Sequence, residues 1–302
     1  MAFSMHSHSG QFCPGHAKDE LETVIQAAIA RGMITFGLTE HMPREEKDLY
    51  PEEITAGLTT APLFPRHEAY LIEAQRLRAK YAGQINILIG FEGEYIRPSY
   101  STLVNSFASN PCIDYFIGSV HHVHEIPIDY DKSMYAQARE AAGGTDEKLF
   151  EDYFDLQFEM LNVLKPKVVG HFDLIRLLAE DPNGDLKGMK GVWEKVERNL
   201  RLVVEQGGLL EVNSAGLRKG LKEPYPGRSI CDVFLGMGGK LTLSDDSHGV
   251  DHVGTNYLGM IAYLKSLGVE EVWTLEGKGV DRKGEVKVKS VSMKSVKESF
   301  KP

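Results

Sequence analysis

The sequence predicts an α/β fold of seven β–α units whose strand C-terminal ends gather on one rim. Three observations point to it. Short β-like runs alternate with amphipathic helical stretches along most of the chain. Nearly every such run releases a metal-ligand residue type at its end. Parallel strands wound with crossover helices place all those ends on the same side, and in a closed α/β barrel that side carries the active site.

The elements justify this reading in order. Phe3-Ser4-Met5-His6-Ser7-His8 reads as a short strand ending in His-x-His. Side chains alternate faces along a strand, so His6 and His8 point the same way, about 7 Å apart. A Gly/Pro-bearing loop, Ser9 to His16, follows. Residues 18–31 place Leu21, Val24, Ile25, Ala28 and Ile29 on one helical face, with Gly32 as a stop. Met33 to Leu38 is a buried-type strand that runs into Thr39-Glu40-His41. Residues 42–65, rich in proline and acid, are expected as a long loop with at most one helical turn. A helix over 66–82 leads to a strand over 85–91, ending at Glu92-Gly93-Glu94.

A short helix near 99–108 precedes the strand over 114–120, which ends at His121-His122. Residues 123–144 are expected as a second long polar loop. Thr145 caps a strong helix carrying Phe150, Phe154, Phe158 and Leu161. Lys167 to Gly170 is a short strand ending at His171. The helix over 188–206 carries Val192, Val196, Leu200 and Val203, and Gly207 stops it. Leu209 to Val212 is a strand ending at Asn213. A helix over 228–237 leads to the strand Lys240 to Leu243, ending at Ser244-Asp245-Asp246-Ser247-His248. A helix over 253–267 closes with Gly268, and Glu270 to Leu275 is an eighth strand or an outside edge.

Bulk properties bound the class. The 302 residues, 42% hydrophobic and 25% charged, suit a soluble globular protein with ample core. The chain is read as one barrel domain over 1–302, with 278–302 peripheral. No run of eighteen apolar residues exists, so no membrane span is expected, and no secretory leader precedes His6. Cys13, Cys112 and Cys231 are scattered and odd in number, as for reduced thiols in a cytoplasmic protein. The net charge of -9 argues against a nucleic-acid partner. Only the tail after Lys278 is basic, through Arg282, Lys283, Lys287, Lys289, Lys294, Lys297 and Lys301, and it reads as a solvated, partly mobile end. A homo-oligomer stays open.

The strand ends carry the chemistry. His6-x-His8, Glu40-His41, Glu92, His121, His171, Asn213 and Asp246-x-His248 stand at successive ends, and six of the eleven histidines fall there. His16 and His122 lie close by. Singly, His171 would be a hydrogen-bonded core residue, Glu92 a helix cap and His16 a loop residue. Together they imply a multinuclear metal site. Nitrogen and carboxylate donors without a thiolate cluster suit Zn²⁺, Mn²⁺ or Fe²⁺. Eight or nine ligands exceed the need of one ion, so two or three are implied. Two close metals can hold a bridging hydroxide and clamp both oxygens of an in-line displacement. His67, His124 and His252 lack this placement and read as surface or supporting residues. Trp193 and Phe150 read as core. Arg176 and Arg218 follow strand ends, and an arginine fork matches a phosphate oxygen pair; surface salt bridging is the competing role.

These residues carry a resemblance. His6-x-His8, the Phe-Cys-Pro stretch with His16, Thr39-Glu40-His41, Gly90-Phe91-Glu92, Gly118-Ser119-Val120-His121, Gly170-His171-Phe172-Asp173 and Ser244-Asp245-Asp246-Ser247-His248 resemble the PHP (polymerase and histidinol phosphatase) superfamily. The Gly-His-Phe-Asp-Leu-Ile-Arg and Glu-Val-Asn-Ser-Ala-Gly-Leu-Arg runs resemble its monofunctional histidinol-phosphate phosphatases. The resemblance covers residues 3–265. It implies a distorted (βα)₇ TIM-like barrel with a trinuclear site held by His6, His8, His16, His41, Glu92, His121, His171, Asp246 and His248. It also implies hydrolysis of a small-molecule phosphate monoester, L-histidinol phosphate, in histidine biosynthesis. A metal-bridging hydroxide would attack phosphorus in line. Arg218, Arg176 and His121 would meet the phosphate, and a water, His248 or Asp246 would protonate the leaving alcohol. Acidic residues near 45–53 are candidates for the amino and imidazole ends. Three alternatives stand beside this reading. One is a related phosphoesterase acting on a nucleotide or sugar phosphate. Another is a metal-dependent amidohydrolase, which the lack of a strand-end lysine disfavours. The last is a barrel that only binds.

Overall fold

Twelve strands are found among the described residues, which are 1–55, 57, 59, 61–277 and 286–300 of the computed structural model. They are β1 (Ala2–Ser4), β2 (Met33–Leu38), β3 (Asn86–Ile89), β4 (Glu92–Glu94), β5 (Ile117–Ser119), β6 (His122–Val123), β7 (Ile126–Pro127), β8 (Val168–Val169), β9 (Leu209–Asn213), β10 (Lys240–Ser244), β11 (Glu271–Glu276) and β12 (Lys287–Ser292).

Two all-parallel sheets, β1-β2-β3 and β10-β9-β8-β5-β4, form the two arcs of one ring. At one junction β3 and β4 are parts of a single extended run, interrupted at Gly90-Phe91. There Gly90 N donates to Leu38 O (2.8 Å), Glu92 N donates to Glu40 O (3.0 Å), and His41 and Glu92 form a parallel bridge. A side chain at position 90 would put its Cβ 2.7 Å from the Tyr115 carbonyl oxygen, so the close approach requires glycine. At the other junction Met5 N donates to Leu243 O (3.0 Å), His8 N donates to Ser247 O (2.7 Å), and Ser7 pairs with Ser247. β1 thus lies beside β10, the last strand of the ring. The result is the expected seven-membered barrel, distorted where β3 hands over to β4.

Helices clothe the ring because each carries one apolar stripe. The helix Asp146–Leu164 is typical. Thr145 Oγ1 accepts from Lys148 N at its start (3.2 Å), and Leu149, Phe150, Tyr153, Phe154, Met160, Leu161 and Leu164 are buried at helical spacing. Burying each such side chain contributes about 1.5–3 kcal/mol. The helices Leu21–Ala30, Lys190–Glu205 and Arg228–Gly236 follow the same rule. No helix among the described residues is long and apolar enough to cross a membrane.

Three segments differ from expectation. In 42–65 a 3₁₀ turn (Glu46–Asp48) and a helix (Pro51–Thr55) form, and the next helix begins at Leu63. Two ion pairs and a hydrogen bond pin this segment: Arg44 donates to Glu94 (2.8 Å), Arg97 Nη1 to Asp48 Oδ1 (3.0 Å), and Tyr100 Oη donates to Asp48 (2.6 Å). In 123–144 the β6–β7 ribbon is followed by a ten-residue helix, Lys132–Ala141, capped by Asp131. Only Tyr135 and Ala138 are buried on it, a stripe too narrow to stand out in a polar stretch.

The basic tail is the third difference. Among its described residues it is not a solvated end. β12 pairs antiparallel with β11 outside the ring, and the helix Met293–Ser299 packs on β1 with Val296 fully buried. Arg282, Lys283 and Lys301 lie outside the described residues.

Candidate metal centre

All nine strand-end and loop residues named as ligands converge at the C-terminal mouth of the barrel. Glu92, at the start of β4, lies at their middle and is buried. Its Oε2 stands 3.3 Å from His6 Nε2, 3.5 Å from His8 Nε2 and 3.0 Å from His41 Nδ1. Its Oε1 stands 3.3 Å from His121 Nε2 and 3.0 Å from His171 Nε2. Asp246 Oδ1 lies 3.6 Å from His6 Nε2 and 3.3 Å from His8 Nε2. The rings of His8 and His248 are 4.5 Å apart, and His16 closes the edge 5.1 Å from His41 and 4.8 Å from His248. Three overlapping groups emerge with donor atoms close enough to share an ion: His8, His41 and His248; His6, His8 and Glu92; Glu92, His121 and His171.

The donors fit divalent transition metals. His6 Nε2, both ring nitrogens of His8 and His41, and Nδ1 of His121 and His171 are buried yet have no hydrogen-bond partner among the described residues. Leaving so many buried polar atoms unpaired is costly, and a shared electron-pair acceptor removes the cost. Nitrogen and carboxylate donors of this kind suit zinc, manganese or iron.

Electrostatics favour cations here. Burial opposes charge on His6, but Glu92, Glu211 and Asp246 outweigh it and hold its pKa well above the usual range. Burial likewise opposes charge on Glu92, but His6, His121 and His41 keep its carboxyl well below the ordinary value. Asp246 is held low in the same way, chiefly by His6 and His248 against burial. Burial, joined by His8 and His16, pushes His248 well down despite Asp246.

The surroundings position these groups. Glu211 faces inward from β9, fully buried. It takes the His6 Nδ1 contact (2.8 Å) and accepts from His171 N (2.7 Å), Ser244 Oγ (2.6 Å) and Asn213 Nδ2 (3.1 Å). With its Nδ1 engaged, His6 turns Nε2 into the cluster. Asp245 turns away from the cluster: Ser4 Oγ (3.0 Å), Ser247 N (3.2 Å) and Gly254 N (2.6 Å) donate to it, and burial raises its carboxyl to about 6. Asp246 takes a left-handed backbone conformation, φ 47°, which aspartate tolerates better than most residues. Arg218 holds that turn, donating to the carbonyl oxygens of Asp245 and Asp246 (2.9 Å each).

A cavity of about 370 Å³ opens above the cluster. His16, His41, Glu92, His121, His171, Asp246 and His248 line it with Arg218, Lys219, Tyr50, Asp129 and Tyr130. Arg176 does not line it. Its guanidinium donates to Asp173 (2.7 Å) and to the carbonyls of Pro182 (3.0 Å) and Pro224 (2.9 Å), and stacks on Tyr225. Those bonds hold the Arg176 guanidinium beside the barrel mouth and off the wall of this cavity.

Of the other histidines, His252 joins the cavity wall, His124 pairs with Asp152 on the surface (2.7 Å), and His67 packs on Phe107. Sequence reasoning missed Glu211, Glu94, Asp129 and Tyr50. The one available signal was Glu211, an acid inside an otherwise apolar strand.

Comparison with known proteins agrees with this geometry. A family model described as PHP domain matches residues 4–215. A Schizosaccharomyces pombe protein named as a probable histidinol-phosphatase is 45% identical over 302 residues, covering 99% of this chain and 97% of the relative. The Saccharomyces cerevisiae histidinol-phosphatase is 33% identical, covering 84% and 85%. The crystal structure of a Lactococcus lactis histidinol phosphate phosphatase with zinc, L-histidinol and phosphate superposes with a TM-score of 0.69 at 20% identity, covering 94% and 98%, and so supports the fold. A parallel barrel with a His/carboxylate cluster at its mouth, matched over this much of its length, belongs to the PHP family, among the histidinol-phosphatases.

Proposed function

We propose that the chain hydrolyses L-histidinol phosphate to L-histidinol and phosphate, as a step of histidine biosynthesis. The observation that carries the reading is Glu92, whose two carboxylate oxygens face two separate histidine groups beneath a cavity lined by Arg218 and Lys219. The names borne by the relatives support the substrate.

His6, His8, His16, His41, Glu92, His121, His171, Asp246 and His248 would hold two or three divalent ions, with zinc, manganese and iron all compatible with the donors. When bound, such ions would neutralise phosphate charge and make a water acidic enough to serve as nucleophile near neutral pH. Around them the chain's own residues do the rest. Arg218 and Lys219 add positive charge for the phosphate dianion. Glu211 fixes the His6 tautomer. Ionised Asp246 and neutral His248 are the ligand-ready forms, which favours holding ions over donating protons for both. Water oxygen bonds to phosphorus, the ester P–O bond breaks, and the alcohol oxygen takes up a proton.

Steady-state kinetics test the proposal. The purified, metal-loaded protein is expected to prefer histidinol phosphate to nucleoside and sugar monophosphates. A wide preference for either of the others would overturn the substrate.

A further inference from the structure

We infer that Tyr115 is a positioning residue of the metal centre, whose hydroxyl fixes the peptide from which His6 and His8 project. The inference rests on the metal-dependent reading of the cluster.

The strand that carries these two residues is interrupted where they begin. β1 pairs with β2 from Ala2 to Ser4, with an irregularity between Ala2 and Phe3, and that ladder stops opposite Phe36. Pairing with the same neighbour resumes at Ser7, whose carbonyl accepts from Thr39 N (3.0 Å) and whose N–H donates to Thr39 Oγ1 (3.0 Å). His6 lies inside the interval. There the Met5 carbonyl accepts from the Tyr115 hydroxyl. A buried carbonyl requires a donor, and a side chain supplies the one that a regular ladder would draw from the backbone.

The peptide unit is planar, so Met5 O, His6 N and His6 Cα move as one body. On the other side Met5 N donates to Leu243 O on β10 (3.0 Å). Met5 is therefore held both by β10 and by Tyr115. Glu211 orients the His6 ring about its own bonds. Tyr115 fixes the backbone from which that ring extends. Alternation along the strand carries the same constraint to His8.

Two glycines make room for this phenol. Tyr115 lies two residues before β5, and β2 and the β3–β4 run stand between it and β1 in the ring. At Gly90, which follows β3, a Cβ would lie 3.2 Å from Tyr115 Cε1. At Gly37, on β2, a Cβ would lie 2.0 Å from Tyr115 Oη and 2.9 Å from Met5 O. No side chain fits at position 37 while the hydroxyl holds Met5. Burial, joined by Glu211 and Asp114, pushes the pKa of Tyr115 well up, so its hydroxyl stays a donor.

The test uses Tyr115→Phe, which removes the hydroxyl and keeps the ring. Tyr257→Phe is the control, because Tyr257 Oη also donates to a β1 carbonyl, Phe3 O (2.8 Å), but within the paired stretch. Zinc release into excess chelator is followed for the zinc-loaded wild type and both variants. Melting temperatures of the metal-free proteins and kinetics on histidinol phosphate are measured beside it. Tyr115→Phe is expected to release zinc about tenfold faster than wild type, with kcat lowered and KM within about twofold. Tyr257→Phe should stay within about twofold of wild type in zinc release, although the metal-free melting temperatures of the two variants fall alike. Zinc release from Tyr115→Phe that matches wild type, or that is accelerated equally in both variants, overturns the inference. Failure of the substrate reading looks different. Wild type would then hold zinc and leave histidinol phosphate intact, and the zinc-release comparison would still decide the role of Tyr115. A wild type that binds no zinc overturns both.

Discussion

Nδ1 of His6 lies 2.8 Å from Oε1 of Glu211, a carboxylate on β9 that also takes the backbone N–H of His171. One buried acid therefore orients candidate ligands from two different strands. Partners of this kind are worth roughly 10–100-fold in metal affinity or activity. Glu211→Gln should lose metal on dialysis and lose activity by a factor in that range. Retention of full metal content would show that His6 is oriented by other means.

Arg218 and Arg176 should separate cleanly. Arg218 touches the cavity and also braces the left-handed turn at Asp246. Arg218→Ala is expected to raise KM for phosphate esters and to lower kcat, and Arg218→Lys should restore only part, since a point charge cannot hold two carbonyls in the same fork. Arg176→Lys should lower the melting temperature and leave KM within about twofold, because a guanidinium hydrogen-bonded to Asp173, Pro182 and Pro224 contributes mainly to stability. A large KM effect at Arg176 would return it to the substrate.

Removal of the ions should be felt in the fold as well as the chemistry. Binding to the native state alone stabilises it by mass action. Chelation is expected to abolish turnover and lower the melting temperature by several degrees, and zinc or manganese should restore both. Activity that survives exhaustive chelation would sink the metal-dependent reading.

His67 offers a pH prediction away from the centre. It packs on Phe107, both ring nitrogens lack a hydrogen-bond partner among the described residues, and burial lowers its pKa to about 4. The unfolded chain takes up this proton near pH 6.5, whereas the folded chain resists until about 4. Its neutral form thus favours folding above pH 6.5. That contribution is lost as pH falls through this window, by up to about 3 kcal/mol. His67→Leu should show a shallower fall in urea-unfolding free energy between pH 6.5 and 4 than wild type. Parallel curves would show that His67 is hydrated or paired in solution.

Much of the site was legible because a parallel barrel turns sequence position into place. His6, His41, Glu92, His121, His171 and Asp246 each follow a strand, so a correct strand assignment brings them to one mouth. What followed loops was hidden. Asp129 and Tyr50 come from segments whose short helices are pinned by ion pairs to distant residues, such as Arg97 to Asp48, that no local pattern reveals. That Arg176 lies off the cavity wall was also hidden, because following a strand does not say which way a long side chain turns. The tail was misread through its lysines. In β12 the exposed Lys287 and Lys289 mask an edge strand that buries Val291, and the next turn buries Val296.

The seam between β1 and β10 has a consequence for synthesis. Ser4 Oγ donates to Asp245 across 241 positions of chain, and His6 meets Asp246 beside it. A growing polypeptide therefore displays His6 and His8 for most of its elongation with no partner from the far side. Chains stalled on the ribosome before residue 240 can gather His6, His8 and Glu92, or Glu92, His121 and His171, but not the group that needs His248. They should therefore hold fewer divalent ions than the finished chain, whose last ligands arrive with the strand that closes the ring.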